Sequence, residues 1–108
     1  SFGSDWPGSS HEPLKGMAVA ITRQTDAGHP PEGWLGDERI TLEQAVDAYT
    51  LGTAYQAGHE QAAGRIEVGQ AADLVAVRAR LDDVPTRHLG DVEVAGTWVG
   101  GLRVHGGS

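Results

Sequence analysis

One change of rhythm divides this chain. Up to about residue 62 its apolar residues recur three and four apart, and after Gly64 they recur two apart. A period near 3.6 turns one face of a helix inward, and a period of 2 turns one face of a strand inward, so the two stretches belong to different layers. An α-rich segment, residues 1–62, is therefore expected to precede a β-rich segment, residues 63–108. The sequence shows no internal repeat, low-complexity tract or flexible linker between them.

Residues 1–6 read as a short strand that carries Asp5 to a sharp exit at Trp6-Pro7, followed by a loop at Pro7-Gly8-Ser9-Ser10. Ser10 or Glu12 opens a helix, with Pro13 at an early position where its missing N–H costs nothing. Leu14, Met17, Ala18 and Ile21 form its apolar stripe, and the helix is expected to stop near Asp26-Ala27-Gly28. His29 to Asp37, with Pro30-Pro31 and Gly33, reads as an irregular connection. Thr41 and Gln44 have the spacing of a capping box ahead of Leu42, Ala45, Val46 and Tyr49. Thr50 has the look of a second N-cap before Leu51, Ala54 and Tyr55, so a break is expected near Thr50 to Gly52. Gly58 is a C-terminal stop.

In the second segment Arg65 to Glu67 is a short strand candidate and Val68-Gly69-Gln70 a turn. Ala72 to Val77 is apolar on both sides and is expected to be a largely buried strand. Leu81 to Asp91 holds a loop with a helical turn after Pro85. Val92 to Val99 and Leu102 to His105 read as a hairpin across Gly100-Gly101, because two adjacent glycines tolerate positive φ together.

Composition narrows the function. With 108 residues the chain fits one small domain with a modest core. A net charge of −7 with eight scattered basic residues argues against nucleic acid and against anionic membrane surfaces. No apolar run reaches the length of a membrane span. There is no cysteine, so a metal here would use His, Asp or Glu. No phosphate loop or dinucleotide fingerprint occurs, and Ser4 lacks the flanking glycine of a nucleophile elbow. His59-Glu60 begins like a zinc-helix motif, but Ala63 stands at the second histidine position. The five histidines, His11, His29, His59, His88 and His105, are dispersed.

Asp5 has two readings. It is an acid capping the turn before Pro7, or a strand-end carboxylate at the mouth of a barrel, where catalytic groups gather. His11, six residues on, is an exposed loop histidine or a contact to substrate or metal. Trp6 either walls a pocket or packs on the following helix.

Gly3-Ser4-Asp5-Trp6-Pro7, then Pro13 with Met17-Ala18-Val19-Ala20-Ile21-Thr22-Arg23, resembles the last barrel segment of the amidohydrolase superfamily, closest to its YtcJ-like, amidohydrolase 3 branch. Thr41 to Ala45, with Ala48-Tyr49-Thr50 and Ala54-Tyr55, resembles the helices that follow there. Gly64-Arg65-Ile66-Glu67-Val68-Gly69-Gln70-Ala71-Ala72-Asp73-Leu74-Val75 resembles the G-x-I-x-x-G-x-x-A-D-L-V pattern of its re-entry strands, and Thr97 to Val104 its closing hairpin. Each piece alone is weak; four in register are strong.

The resemblance implies an α/β fold: the last strand and helices of a metal-dependent (β/α)8 barrel over residues 1–62, then the C-terminal half of a small β-sandwich over residues 63–108. The isolated piece would be α+β. It implies that Asp5 is the catalytic carboxylate, lying by one or two divalent metals, usually zinc, in the complete enzyme. There it takes a proton from the attacking water and passes it to the leaving nitrogen of an amide. Trp6 and His11 are the candidate substrate contacts. The family's His-x-His, its bridging Lys or Glu and its later barrel histidines have no counterpart here. The chain is therefore expected to be a C-terminal fragment that is inactive and metal-free alone. Its expected partner is a small-molecule amide, with no nucleic acid or membrane, and its expected compartment is the cytoplasm. A rival from another class is a non-catalytic module that self-associates, as a homo-oligomer or strand-exchanged dimer, through exposed strand edges. A stand-alone hydrolase built on Asp5 and His11 lacks a nucleophile and a group to orient the histidine.

Overall fold

The computed structural model describes residues 1–4, 12–25 and 27–106. Three helices come first: α1, Pro13–Thr22; α2, Leu42–Tyr49; and α3, Leu51–Gln56. Three strands follow: β1, Leu74–Val77; β2, Val94–Val99; and β3, Leu102–His105. Short 3-10 turns stand at Gly36–Glu38, Leu81–Asp83 and Thr86–Asp91. Helices and an antiparallel sheet segregated along one chain make a small α+β arrangement. Residues 1–4 of the expected first strand are irregular. A strand needs a ladder, and Phe2 N–H instead donates to the Ala48 carbonyl at 3.1 Å, near the end of α2.

Helix α1 starts as its sequence suggests, with Glu12 extended at the N-cap and Pro13 in the first turn. It ends at Thr22, well before Asp26-Ala27-Gly28. Arg23 turns left-handed at φ 56° and its N–H donates to Val19 O. For an L-residue that conformation costs about 1–2 kcal/mol. Trp34 offsets the cost: its N–H donates to Arg23 O at 2.8 Å and its carbonyl accepts from Arg23 Nε at 2.9 Å. The Arg23 guanidinium also lies 4.9 Å from the Trp34 ring centroid. A clamp made eleven residues downstream leaves no local signal at the helix end.

Helix α2 carries the full capping box: Thr41 Oγ1 accepts from Gln44 N–H at 3.1 Å, and Gln44 Oε1 accepts from Thr41 N–H at 2.9 Å. The break falls at Thr50, whose φ and ψ are −116° and −85°. Thr50 occupies the N-cap position of α3, but its hydroxyl donates back to Val46 O at 2.8 Å and caps nothing forward. Helix α3 closes with a Schellman motif, His59 N–H to Ala54 O at 2.8 Å and Gly58 N–H to Tyr55 O at 3.0 Å. Gly58 takes the left-handed φ of 76° that this closure requires.

The core lies where α1 packs on the Thr86–Asp91 turn and on α2. Met17, Ala18, Ala45 and Leu89 are buried there, with Leu14, Ile21, Val46 and Leu81 against them. Leu89 is completely enclosed and is the largest such side chain. The expected helical turn after Pro85 is thus what brings the second half of the chain onto the first.

The sheet is an antiparallel meander in the order β1-β2-β3. Leu74 pairs with Trp98, and Trp98 with Arg103, so these three share a face. The Arg103 guanidinium stacks 5.4 Å from the Trp98 centroid. Val75 pairs with Thr97, and Val99 with Leu102, on the other face. The expectation of a largely buried strand at residues 72–77 is not met: Val75 is 62% exposed and Leu102 72%. The described residues put no layer over that side. Arg65 to Glu67 forms no strand either, having no ladder partner; it leads into a turn closed by Gln70 N–H to Glu67 O.

The hairpin turn behaves as its two glycines require, with φ 57° at Gly100 and 82° at Gly101. Asp73 holds it: Asp73 Oδ1 accepts from Gly100 N–H at 2.8 Å, and Ala72 O accepts from Gly101 N–H at 2.9 Å. Asp73→Ala is expected to cost about 1 kcal/mol and to speed hydrogen exchange at the Gly100 amide roughly fivefold. NMR exchange rates check this; an unchanged Gly100 rate contradicts it.

Candidate active site

The three candidate site residues, Asp5, Trp6 and His11, lie outside the described residues. The chain on either side of their segment is anchored at one place. Upstream, the Phe2 ring meets the Tyr49 ring edge-on, with centroids 5.5 Å apart and planes at 80°. The Ser1 hydroxyl donates to Gln56 Oε1 on α3. Downstream, α1 passes so close to α2 that a Cβ on Gly16 would overlap the Tyr49 hydroxyl. Tyr49 is therefore the common seat of the N-terminal segment and of α1. The requirement at Gly16 shows in sequence only as a small residue inside an apolar helix.

Among the described residues no group of three or more His, Asp or Glu side chains comes together as a metal site. The donor set a metal needs is not found among them. His59 sits in a turn after α3, where its carbonyl accepts from Ala62 and Ala63 N–H, both at 2.9 Å. His88 Nδ1 lies 3.5 Å from Asp91 Oδ2 on the exposed side of its 3-10 turn. Glu60 is not a simply solvated charge: its Oε2 is buried without a hydrogen-bond donor, as is Gln70 Oε1. Gln70 Nε2 donates to Gln61 O at 2.8 Å; Gln70 lies in the loop that Ala71 N–H to Ala62 O closes, and Glu60 lies just before it. Buried acceptors of this kind are ordinarily met by ordered water. Among the described residues no helix is long and apolar enough to cross a membrane.

Comparison with known proteins covers nearly the whole chain. The chain is 33% identical over 102 residues to an N-substituted formamide deformylase of Arthrobacter pascens, a match covering 94% of the chain and 18% of that protein. It is 29% identical over 108 residues to Protein LONG AFTER FAR-RED 3 of Arabidopsis thaliana, covering 97% of the chain and 18% of that protein. The chain thus spans about a fifth of the length of these curated relatives. No solved structure matches it significantly. The sequence profile of the amidohydrolase family matches residues 1–105, through the Asp5 segment, the helices and the closing hairpin, and the chain belongs to that family.

Proposed function

We propose that this chain is one piece of a longer hydrolase acting on a non-peptide C–N bond, with an N-substituted amide as substrate and formamides foremost. The observation that carries the reading is the family match over residues 1–105, joined to the deformylase likeness. In this reading residues 1–62 close a (β/α)8 barrel and residues 63–108 supply strands of an adjoining sandwich. Asp5 takes the proton of the water that attacks the amide carbon. The new C–O bond forms, the C–N bond breaks, and Asp5 returns the proton to the leaving nitrogen, giving an amine and a carboxylic acid. Trp6 and His11 border the substrate. A divalent metal, zinc by resemblance, would acidify that water, and its other ligands would come from the rest of the longer protein.

The burial pattern supports a piece that works within something larger. Trp34, Tyr55, Ile66 and Val68 are exposed along with the open sheet face, while among the described residues the buried hydrophobic ones are Met17, Ala18, Ala45, Ala54 and Leu89. Metal analysis and an amide-hydrolysis assay on the 108-residue chain test this directly. Neither stoichiometric zinc nor turnover is expected in the chain alone. A tightly bound ion or measurable hydrolysis would contradict it.

A second reading, self-association, is favoured by one observation. Val75, Val99 and Leu102 lie exposed on one sheet face, and the outer edges of β1 and β3 have no strand beside them among the described residues. Light scattering on the chain alone is expected to show a dimer, with strand exchange as its route; a clean monomer at high concentration contradicts this.

A further inference from the structure

Phe2 stands three residues before Asp5 in the sequence, and Gly16 eleven residues after it. Both meet one side chain, Tyr49, at the end of α2. The Phe2 ring meets the Tyr49 ring edge-on, and the Tyr49 hydroxyl lies where a Cβ on Gly16 would stand. Glycine alone, having no Cβ, lets α1 come that close. The chain on both sides of the Asp5 segment is thus pinned to a single half-buried ring.

The surroundings of Tyr49 hold the backbone upstream of Asp5 as well. Phe2 N–H donates to Ala48 O at 3.1 Å, and the Ser1 hydroxyl donates to Gln56 Oε1. A Cβ on Gly52 would stand 3.5 Å from the backbone N of Ser1 and 3.2 Å from Asp47 O. These contacts gather at the Thr50 break between α2 and α3. On the α1 side, Met17 and Ala18 follow Gly16 into the core beside Ala45 of α2. Phe2 itself is 39% exposed, so its contact with Tyr49 orients the chain more than it adds to the core. Three residues of chain span at most about 10–11 Å, which leaves little slack between that anchor and Asp5.

We propose that Tyr49 is a positioning residue for Asp5. Its ring sets the line along which the N-terminal segment enters, and its hydroxyl sets the spacing to α1, which receives the chain afterwards. The proposal rests on the hydrolase reading, in which Asp5 moves the proton. A misplacement of about 1 Å, even one caused far from the chemistry, can cost about 10²-fold in rate. Tyr49 acts on the reaction only through the placement of Asp5, so substrate binding does not depend on it.

The test is steady-state kinetics of the longer, metal-loaded protein on an N-substituted formamide and an N-acyl amino acid. Phe2→Ala and Tyr49→Leu are each expected to lower kcat about 10–10²-fold with KM little changed. Tyr49→Phe, which keeps the ring edge against Phe2, should retain most of the rate. Gly16→Ala should lower kcat, and adding Tyr49→Phe should restore it, because loss of the hydroxyl clears the space the methyl needs. In an Asp5→Asn background, Phe2→Ala and Tyr49→Leu should cost nothing further, a result that a general loosening of the fold would not give. Phe2→Ala leaves the buried core untouched, so it decides the matter even if Tyr49→Leu does not fold. Tyr55→Leu, at a tyrosine 72% exposed on α3, should turn over as the wild type does. A wild-type kcat in Phe2→Ala, losses that persist in Asp5→Asn, or a rise in KM in place of the fall in kcat would each overturn the proposal. A folded, metal-replete wild type that cleaves neither substrate would instead overturn the hydrolase reading beneath it, and this proposal with it.

Discussion

Asp5→Asn in the proposed longer hydrolase is expected to lower kcat by about 10²–10⁴-fold, the usual contribution of a positioned acid–base group. At about 1.36 kcal/mol per decade this is about 3–5 kcal/mol of transition-state stabilisation. KM is expected to change little, because the carboxylate acts on a proton rather than on substrate binding. Asparagine is the informative replacement. It has the shape of aspartate and caps a turn before proline equally well, through the same side-chain oxygen. It cannot accept a proton from water. An Asp5→Asn enzyme that folds and turns over normally would assign Asp5 to the turn; one that folds and is silent would assign it to the chemistry. Steady-state kinetics with thermal melts of both proteins separate the two.

Leu89→Ala is expected to have the largest effect on stability, about 3 kcal/mol, within the usual cost of a large-to-small change at an enclosed site. Leu89 is 0% exposed and joins Met17 and Ala18 of α1 to Ala45 of α2. Its loss removes the one fully enclosed side chain, among the described residues, of the packing that holds the second half of the chain to the first. For a domain of this length the melting temperature should drop by about 12–20 °C. Leu102→Ala is the matching control. Leu102 is 72% exposed on the open sheet face, so in this chain the change should cost no more than about 0.5 kcal/mol. Thermal denaturation of both variants checks the pair; equal losses would place the core elsewhere.

What sequence made legible was what its own neighbours determine. The Thr41–Gln44 box, the Gly58 closure and the Gly100-Gly101 turn each need only a few adjacent residues, and the structure forms all three. The Asp73 contact to Gly100 N–H spans 27 residues and has no such local signal. Features set by distant contacts were not legible. The early end of α1 depends on Trp34, and the fate of the Thr50 hydroxyl on the competing Val46 carbonyl. The apolar run at residues 72–77 looks buried in sequence because a strand apolar on both sides ordinarily has two covering layers. The described residues supply one partial layer, Trp98 with Arg103. Asp5 is singled out in sequence by the motif around it and lies outside the described residues.

Amide hydrolysis, within a longer member of its family, is the role proposed for this chain. The measurement that tests it most directly is product analysis of the metal-loaded longer protein incubated with an N-substituted formamide and with an N-acyl amino acid. At least one is expected to be cleaved to amine and carboxylic acid in equal amounts. Failure to cleave either, in protein shown to be folded and metal-replete, would contradict it.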